Sequence, residues 1–343
     1  MSAEIPAGAM RFNSDSQKLE YWNGSAWFQV HTATPDLASA GDRQPGARGI
    51  FAGGYANPAG NTNEIRYINI ASTGDTVDFG DLSASHSGSG GSGGGSSTRG
   101  ILFSGSDKFH IDFITFASTG NAQNFGNSLD ARTYSAAFSN STRGIQGGGT
   151  SSSTPTGNAS DVIEYITMAA TGNAVDFGDL TTKALRVCGV SSPTRGIFMG
   201  GRESLPGSEI NVMQFITITT LGDTQDFGDL SRVASTAGAA GNATRGIYFG
   251  GRSPSLVNNI DYITIATTGN SVNFGDLTET SSDGSAVSSP TRAVHAIGRN
   301  SSTNLNTIEY VNIATRGNAV DFGDAPTNKM RHAWVTSNGH GGL

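Results

Sequence analysis

A unit of about 50 residues recurs six times along this 343-residue chain and constrains its fold more than any other feature. Each unit opens with a segment that usually reads Thr-Arg-Gly-hydrophobic and ends with one that usually reads Asp-Phe-Gly-Asp-Leu. Successive arginines are 44 to 52 residues apart, and successive phenylalanines 46 to 52. Such a period predicts a repeat architecture in which neighbouring units bury one another's faces. The residues expected to maintain the repeat are Arg48, Arg99, Arg143, Arg195, Arg245, Arg292, Phe79, Phe125, Phe177, Phe227, Phe274 and Phe322.

One unit contains four short strand-like stretches separated by turn signals. In the fourth unit they cover residues 186–192, 197–199, 210–219 and 224–230. The third stretch follows an Ile-x-Tyr-Ile-x-Ile template in several units, which places apolar residues on both faces of a strand and predicts a sheet covered on both sides. Four antiparallel strands per unit and a period near 50 are typical of propeller blades. The sequence therefore predicts an all-β fold with a six-bladed β-propeller over residues 48–343.

The two ends of the repeat region predict how the ring closes. Residues 35–46, ahead of the first unit, are a poor strand, whereas residues 330–338 resemble a first strand with no unit behind them. We expect this C-terminal strand to pair with blade one, because closure removes two open sheet edges. The Gly/Ser-rich residues 86–97 are expected to supply the first strand of blade two, where crowded inner strands require small side chains.

Residues 1–31 do not belong to the repeat and predict a small β-meander, followed by a linker over residues 32–47. Strand-like stretches at 10–12, 18–22 and 26–30 are joined by turns at 13–16 and at Asn23-Gly24. A meander this small stabilises itself poorly. We expect its aromatic residues to contact the propeller, further copies of the chain or another protein. These assembly residues are Phe12, Tyr21, Trp22 and Trp27.

Composition argues against several classes of function. The net charge is −7 and no Lys/Arg cluster occurs, so we expect no nucleic-acid partner. No run approaches the 18 apolar residues of a membrane span. The first residues carry neither the basic nor the apolar region of a secretory signal, so we expect no Sec export. The lone Cys188 fits a reducing compartment.

No catalytic pattern is distinguishable from the repeat. Asp-Phe-Gly occurs in four units without a Gly-rich nucleotide loop, which favours a structural role over a kinase magnesium ligand. The phenylalanines are expected between blades, and the aspartates that follow them are expected to accept hydrogen bonds near turns. The six arginines are expected to brace the first turn with those acids as partners, and a ring for anions is the alternative. We expect no enzyme activity, metal or cofactor, since no metal-pair His spacing or Ser/His/Asp order occurs.

The loop after the second strand differs from unit to unit. A constant scaffold with different loops on one face is how repeat proteins build a recognition surface. Polar loops suit contacts with glycans, and loops that bind nothing are the alternative. The candidate binding residues are Tyr55, Asn57, Asn61, Lys108, His110, Thr154, Arg202, Glu203, Leu205, Arg252, Leu256, Arg299 and Asn300.

The unit that runs intact from Thr244 to Leu277 resembles the kelch-like repeats of virion structural proteins from tailed bacteriophages, notably those of marine and cyanobacterial hosts. The resemblance covers residues 36–343. Residues 7–27 are similar to short modules at the N-termini of phage tail and appendage proteins. Departures are Asn127 in the second unit and Ala293 and Ala325 in the sixth.

The resemblance implies a non-enzymatic component of the virion, assembled in the host cytoplasm and displayed on a tail, tail fibre or capsid. It implies contacts of the N-terminal module with other virion proteins, a homo-oligomer, and a propeller that serves host attachment through a surface glycan or decorates the particle. Two alternatives stay open. A cytoplasmic kelch scaffold would bind a protein partner, and a carbohydrate-active propeller enzyme would need acids or metal ligands in one blade only.

Overall fold

The computed structural model describes residues 6, 8–13, 18–29, 48–56, 60–86, 93–103, 105, 109–151, 157–326 and 331–343. The chain divides into two compact units, Met1–Gln44 and Pro45–Leu343. The described residues form strands and turns without a helix, so the predicted all-β class is confirmed. No described segment forms an apolar helix that could span a membrane. The predicted linker at 32–47 lies outside the described residues.

The first unit contains a three-stranded antiparallel meander. Its strands are β1 (Met10–Asn13), β2 (Lys18–Trp22) and β3 (Trp27–Gln29), in the order β1-β2-β3. Asn23 makes the turn between β2 and β3, because its Oδ1 accepts from the main-chain N–H of Ser25 and Ala26 at 2.8 Å each. Of the turn predicted at 13–16, residues 14–16 lie outside the described residues.

The second unit consists of short strands. They are β4 (Arg48–Ala52), β5 (Tyr55–Ala56), β6 (Gly60–Asn69), β7 (Val77–His86), β8 (Gly94–Gly95), β9 (Arg99–Leu102), β10 (His110–Thr115), β11 (Gln123–Asn127), β12 (Arg132–Thr133), β13 (Ala136–Ser139), β14 (Arg143–Gly147), β15 (Thr150–Ser151), β16 (Val162–Thr167) and β17 (Val175–Asp179). Those that follow are β18 (Cys188–Ser191), β19 (Arg195–Met199), β20 (Val212–Thr217), β21 (Gln225–Asp229), β22 (Gly238–Gly241), β23 (Arg245–Phe249), β24 (Arg252–Ser253), β25 (Ser255–Leu256), β26 (Asn259–Thr264), β27 (Val272–Asp276), β28 (Ser285–Ser288), β29 (Arg292–Arg299), β30 (Asn304–Asn312), β31 (Val320–Asp324) and β32 (Trp334–Ser337).

Most of these strands form small antiparallel sheets of one design, consistent with a propeller-like all-β fold. Sheet 1 is β32-β4-β6-β7, with β5 also paired to β6. Its strand β32 comes from the end of the sequence and pairs with β4, with Trp334 opposite Ala52 and Ser337 opposite Gly49. Sheets 2 to 6 are β8-β9-β10-β11, β13-β14-β16-β17, β18-β19-β20-β21, β22-β23-β26-β27 and β28-β29-β30-β31.

The strand predictions match the observed elements closely. Sheet 4 has all four strands predicted for the fourth unit: three are shorter than predicted by one or two residues at each end, and the second begins two residues earlier. Gly94–Gly95 supplies the first strand of sheet 2 from the Gly/Ser-rich stretch, as expected. His86, which opens that stretch in the sequence, still belongs to β7 of sheet 1, and residues 87–92 lie outside the described residues.

The core of each sheet centres on the Phe of the Asp-Phe-Gly segment. Each Phe is buried and meets the aromatic ring of its own third strand edge to face, with ring centroids 5.9 to 6.1 Å apart. The buried third-strand residues Ile163, Ile166 and Met168 lie on both faces, as the template predicts. Apolar residues on both faces bury the sheet on both sides.

A β-bulge at this Phe creates the joint between neighbouring sheets. In sheet 3, Ile163 pairs with Gly178 and Glu164 with Asp176, so Phe177 has no partner in the ladder. A bulged residue leaves its main-chain groups free of the ladder. The Phe177 carbonyl accepts a hydrogen bond at 2.9 Å from the N–H of Gly222, in the last turn of sheet 4.

The same joint occurs after every sheet. The turn glycines donate to the Phe carbonyls in the pairs Gly120–Phe79, Gly172–Phe125, Gly222–Phe177, Gly269–Phe227, Gly317–Phe274 and Gly74–Phe322. The Gly that follows each Phe is required, because a Cβ atom at Gly80, Gly178 or Gly323 would overlap the backbone of the facing turn glycine.

Candidate functional site

The six repeat arginines lie between sheets. Each donates from Nη1 to a main-chain carbonyl where the third strand of the next sheet ends. The pairs are Arg48–Phe116, Arg99–Met168 (3.2 Å), Arg143–Ile218 (2.9 Å), Arg195–Ile265 (3.2 Å), Arg245–Ile313 (2.9 Å) and Arg292–Ile70 (3.2 Å). Arg99, Arg195, Arg245 and Arg292 also donate to the carbonyl one residue further on.

Each of these guanidinium groups also stacks on an aromatic ring. The ring belongs to the third strand of the arginine's own sheet and lies 4.7 to 5.1 Å from the guanidinium carbon, within cation–π range. The prediction that these arginines pair with acidic residues is wrong. Their guanidinium groups contact main-chain carbonyls and aromatic rings instead. Guanidinium groups held in this way join sheets, which favours the structural interpretation over an anion ring.

The aspartates after Phe-Gly also differ from their predicted role. Their carboxylates were expected to accept the hydrogen bonds, whereas here their main-chain N–H groups donate: the N–H of Asp229 donates to Asn270 Oδ1 at 3.0 Å. The acceptors are Asn or Asp side chains that directly follow a turn glycine of the next sheet. Sequence reasoning missed these residues, although Gly-Asn or Gly-Asp recurs in every unit. They are Asp75, Asn121, Asn173, Asp223, Asn270 and Asn318.

The candidate loop residues lie at the opposite end of the sheets. Arg202 is largely buried, and its Nε donates to Glu209 Oε1 at 3.1 Å. The Tyr55 ring lies 4.9 Å from the Arg331 guanidinium carbon. Asn57, Lys108 and Thr154 lie outside the described residues. Asn61 and Glu203 are exposed, and His110, Leu205 and Asn300 are half-buried.

Three of the candidates meet around one cavity of about 490 Å³, which we call the arginine cavity. Arg252, Leu256 and Arg299 line it together with Arg331, which sequence reasoning missed. The other described candidates do not line this cavity; they include Tyr55, Arg202, Glu203 and Leu205. The structure thus divides the predicted binding face into one shared cavity and several separate positions.

Five further lining residues, the inner residues, come from five different sheets. Each lies two residues ahead of a first strand and has a left-handed backbone, with φ between 56° and 63°. Four main-chain hydrogen bonds link them in a row, since the N–H of each inner residue after the first donates to the preceding inner carbonyl at 2.7 to 3.3 Å. The inner residues are Tyr134, Arg186, Thr236, Asp283 and His332. They were missed because the shared backbone conformation is carried by five different residue types.

Positive charge dominates the arginine cavity. Arg186, Arg252, Arg299 and Arg331 contribute guanidinium groups, and Asp283 is the one carboxylate among the described lining residues. Its Oδ2 lies 3.8 Å from Arg331 Nη1 and 3.4 Å from His332 Nε2. Burial lowers the pKa of His332, Asp283 opposes this shift, and the neighbouring arginines lower the pKa further. His332 is therefore neutral near pH 7.

The described residues include no group of three His, Cys, Asp or Glu side chains that could hold a metal ion. Cys188 is buried and its Sγ donates to the Ala237 carbonyl at 2.9 Å. Burial raises the pKa of this thiol to about 12, which keeps it protonated and a poor nucleophile.

The meander of the first unit has two unlike faces. Met10, Phe12, Tyr21 and Phe28 are exposed by 61%, 66%, 41% and 47%, and they share one face because cross-strand partners point the same way. On the other face the Trp22 and Trp27 rings lie 5.5 Å apart and Arg11 stacks on Trp27 at 4.2 Å. Of the four predicted assembly residues, Phe12 and Tyr21 lie on the exposed apolar face and the two tryptophans on the opposite one.

Comparison with known proteins supplies no relative: no protein-family model matches the chain, and a search of curated proteins finds no significant match.

Proposed function

We propose that this chain is a non-enzymatic structural protein of a tailed-phage virion, in which a closed six-bladed kelch-like propeller carries a recognition surface and the N-terminal meander attaches it to the particle. One observation carries the proposal. Residues that are the same in every unit form the hydrogen bonds between neighbouring sheets. Residues that differ between units surround a cavity at the other end of the sheets. This is the division expected of a display scaffold.

The closed ring is supported by contacts from the last sheet to the first. Arg292 of sheet 6 donates to Ile70 of sheet 1, and the N–H of Gly74 in sheet 1 donates to the Phe322 carbonyl of sheet 6. The innermost strands also contact each other in a cycle, in the order β32, β8, β13, β18, β22, β28 and back to β32. Pairing of β32 with β4 would then act as the closure.

The attachment role of the meander is supported by its exposed apolar face. Four large apolar side chains on one face of a three-stranded sheet form a patch of the kind that marks protein contacts. An isolated meander of this size lacks the buried area to be stable alone. A neighbouring virion protein or further copies of the chain would cover this face.

The experiment is immunogold electron microscopy and mass spectrometry of phage particles purified from cells that carry this gene. We expect the chain among the particle proteins, with gold on a tail or capsid appendage. A variant with Phe12→Ser and Phe28→Ser should fold but be absent from the particles, and Val77→Ser on the propeller surface is the matched control. Absence of the wild-type chain from the particles would overturn the proposal and favour a cytoplasmic scaffold.

A further inference from the structure

The arginine cavity has the features of a built site, beginning with its fixed floor. The inner residues hold left-handed backbones, a conformation that non-glycine residues adopt uncommonly and that costs free energy. Their main-chain hydrogen bonds tie five sheets together at this level. The side chains of Arg186, Thr236 and Asp283 are thereby aimed at one place by a rigid frame rather than by mobile loops.

The charge in the cavity exceeds what the described protein groups neutralise. Asp283 faces Arg331 and His332, and Glu209, 3.9 Å from Arg252, already receives a hydrogen bond from Arg202. Arg299 Nε donates to the carbonyl of Asn300 at 3.5 Å, a neutral acceptor at the long limit of a hydrogen bond.

Several buried polar atoms also have no hydrogen-bond partner within the part of the chain that the structure describes. These atoms are Arg186 Nε, Arg331 Nε and Thr236 Oγ1. A buried donor without a partner is costly, and all three residues line the arginine cavity, so its wall carries polar side chains that protein contacts leave partly unsatisfied.

The chemistry of the lining defines the ligand. Planar guanidinium groups bind carboxylate and phosphate oxygens through two parallel hydrogen bonds. Ser255, Ser282 and Ser301 add hydroxyl groups, and Pro254 and Leu256 add apolar surface. A volume of about 490 Å³ lies within the range of small-molecule sites.

We propose that the arginine cavity binds an anionic saccharide, a sugar residue that carries a carboxylate or a phosphate. The arginines pair with the anionic group, and the hydroxyl and apolar groups contact the sugar ring. This deepens the proposed function, on which its biological meaning rests, because it names the class of surface ligand that the loop end recognises.

Isothermal titration calorimetry of the full chain with three probes tests the proposal. Glucuronate supplies a carboxylate, glucose 6-phosphate a phosphate, and glucose neither. We expect at least one anionic sugar to bind about tenfold or more tightly than glucose, with weaker binding as sodium chloride is added. The better probe identifies carboxylate or phosphate as the recognised group.

Two variants assign the binding to the cavity. Arg252→Met with Arg299→Met is expected to weaken binding at least about tenfold, because charge-assisted hydrogen bonds are lost. Arg316→Met is the control for loss of one positive charge outside the cavity, since Arg316 is exposed in a turn at the opposite end of the sheet. Arg252→Met alone is the single-charge variant to compare with it. Asp283→Asn removes the carboxylate that competes with the anionic ligand for the arginines, and we expect it to tighten binding. Asparagine adopts the left-handed backbone conformation readily, so the substitution should not disturb the fold.

Three outcomes would overturn the proposal: no heat from either anionic sugar, equal affinity for glucose, or binding that Arg252→Met with Arg299→Met leaves unchanged while the chain stays folded by circular dichroism. If sodium sulfate binds as tightly as the anionic sugars, the cavity recognises an anion and the proposal of a saccharide ligand is wrong. These solution measurements do not depend on particle location, so their failure is separate from failure of the virion proposal. A chain absent from particles would still bind the sugar.

Discussion

The two ends of the six sheets contrast in what their residues contact. At the turn end, Arg195 of sheet 4 and Gly222 of the same sheet bind main-chain carbonyls of neighbouring sheets, and every other sheet repeats these bonds. At the loop end, contacts such as Arg202 with Glu209 and Tyr55 with Arg331 occur in one place only. The difference teaches that residue identity is retained where the contact to the next sheet needs a particular side chain or a glycine. The inner residues cross to the next sheet through main-chain groups alone, and their types differ.

Removal of residues 331–343 is the strongest test of the turn-end design. The deletion takes away β32, with the fully buried Trp334, and leaves β4 without its partner. We expect a loss above about 5 kcal/mol, seen as aggregation or a much lower melting temperature in calorimetry, since one buried aromatic alone is worth about 3–5 kcal/mol. Deletion of residues 341–343 alone keeps β32 and should cost far less. An unchanged melting curve for the longer deletion would refute ring closure by β32.

Phe227→Ala removes the buried side chain beside one joint between sheets. The Phe is buried against Phe215 and sits at the bulge that frees its carbonyl, so we expect a loss of about 3–5 kcal/mol in the free energy of unfolding. Leu221→Ala is the control, since Leu221 is 53% exposed in a turn and should change stability by less than about 0.5 kcal/mol. Equal effects in urea denaturation would contradict the assignment of the Phe227 side chain to the core of sheet 4.

Between the two ends, one buried position of the second strand is occupied by His295 in sheet 6 and by Phe198 in sheet 4. Burial lowers the pKa of His295 to about 4. The unfolded chain, with an ordinary His pKa near 6.5, then binds more protons, so stability falls as pH drops from about 6.5 to 4. In the His295→Phe variant, the loss of unfolding free energy between pH 7 and pH 4 should be smaller by on the order of 3 kcal/mol.

The measurement is urea denaturation of wild type and His295→Phe at pH 7 and near pH 4. His340, whose pKa burial also lowers to about 4, and Glu309, 3.9 Å from His295, are present in both proteins, so the difference reports His295. An equal acid loss in both would show that His295 is not the titrating group.

Arg245→Met against Arg252→Met compares the two ends most directly. Arg245 donates to Ile313 and Ala314 and stacks on Tyr262, so we expect a loss of about 1.5–3 kcal/mol. Arg252 is half exposed at the loop end and should cost less than about 0.5 kcal/mol. If thermal unfolding shows equal losses, the contrast between the two ends is wrong.

Much of the fold could be read from the sequence because strand patterns and turn residues are local. The pairing of β32 was visible as a first strand without a unit behind it. The arginine partners were not, because the acceptor of Arg195 is a main-chain carbonyl 70 residues away, and a carbonyl leaves no mark in the sequence. The inner residues could not be predicted for a related reason: Tyr134, Thr236 and His332 share a backbone φ angle but no side-chain chemistry.

The joint between sheets consists of a main-chain carbonyl, a main-chain amide and a glycine. It requires only the same short motif in the neighbouring unit. This joint would therefore form between any two units. Recombination within such a gene could exchange whole units, with the loops that they carry, without a mismatch at the Phe-Gly bulge. New combinations of loops would then arise by exchange of units as well as by point mutation.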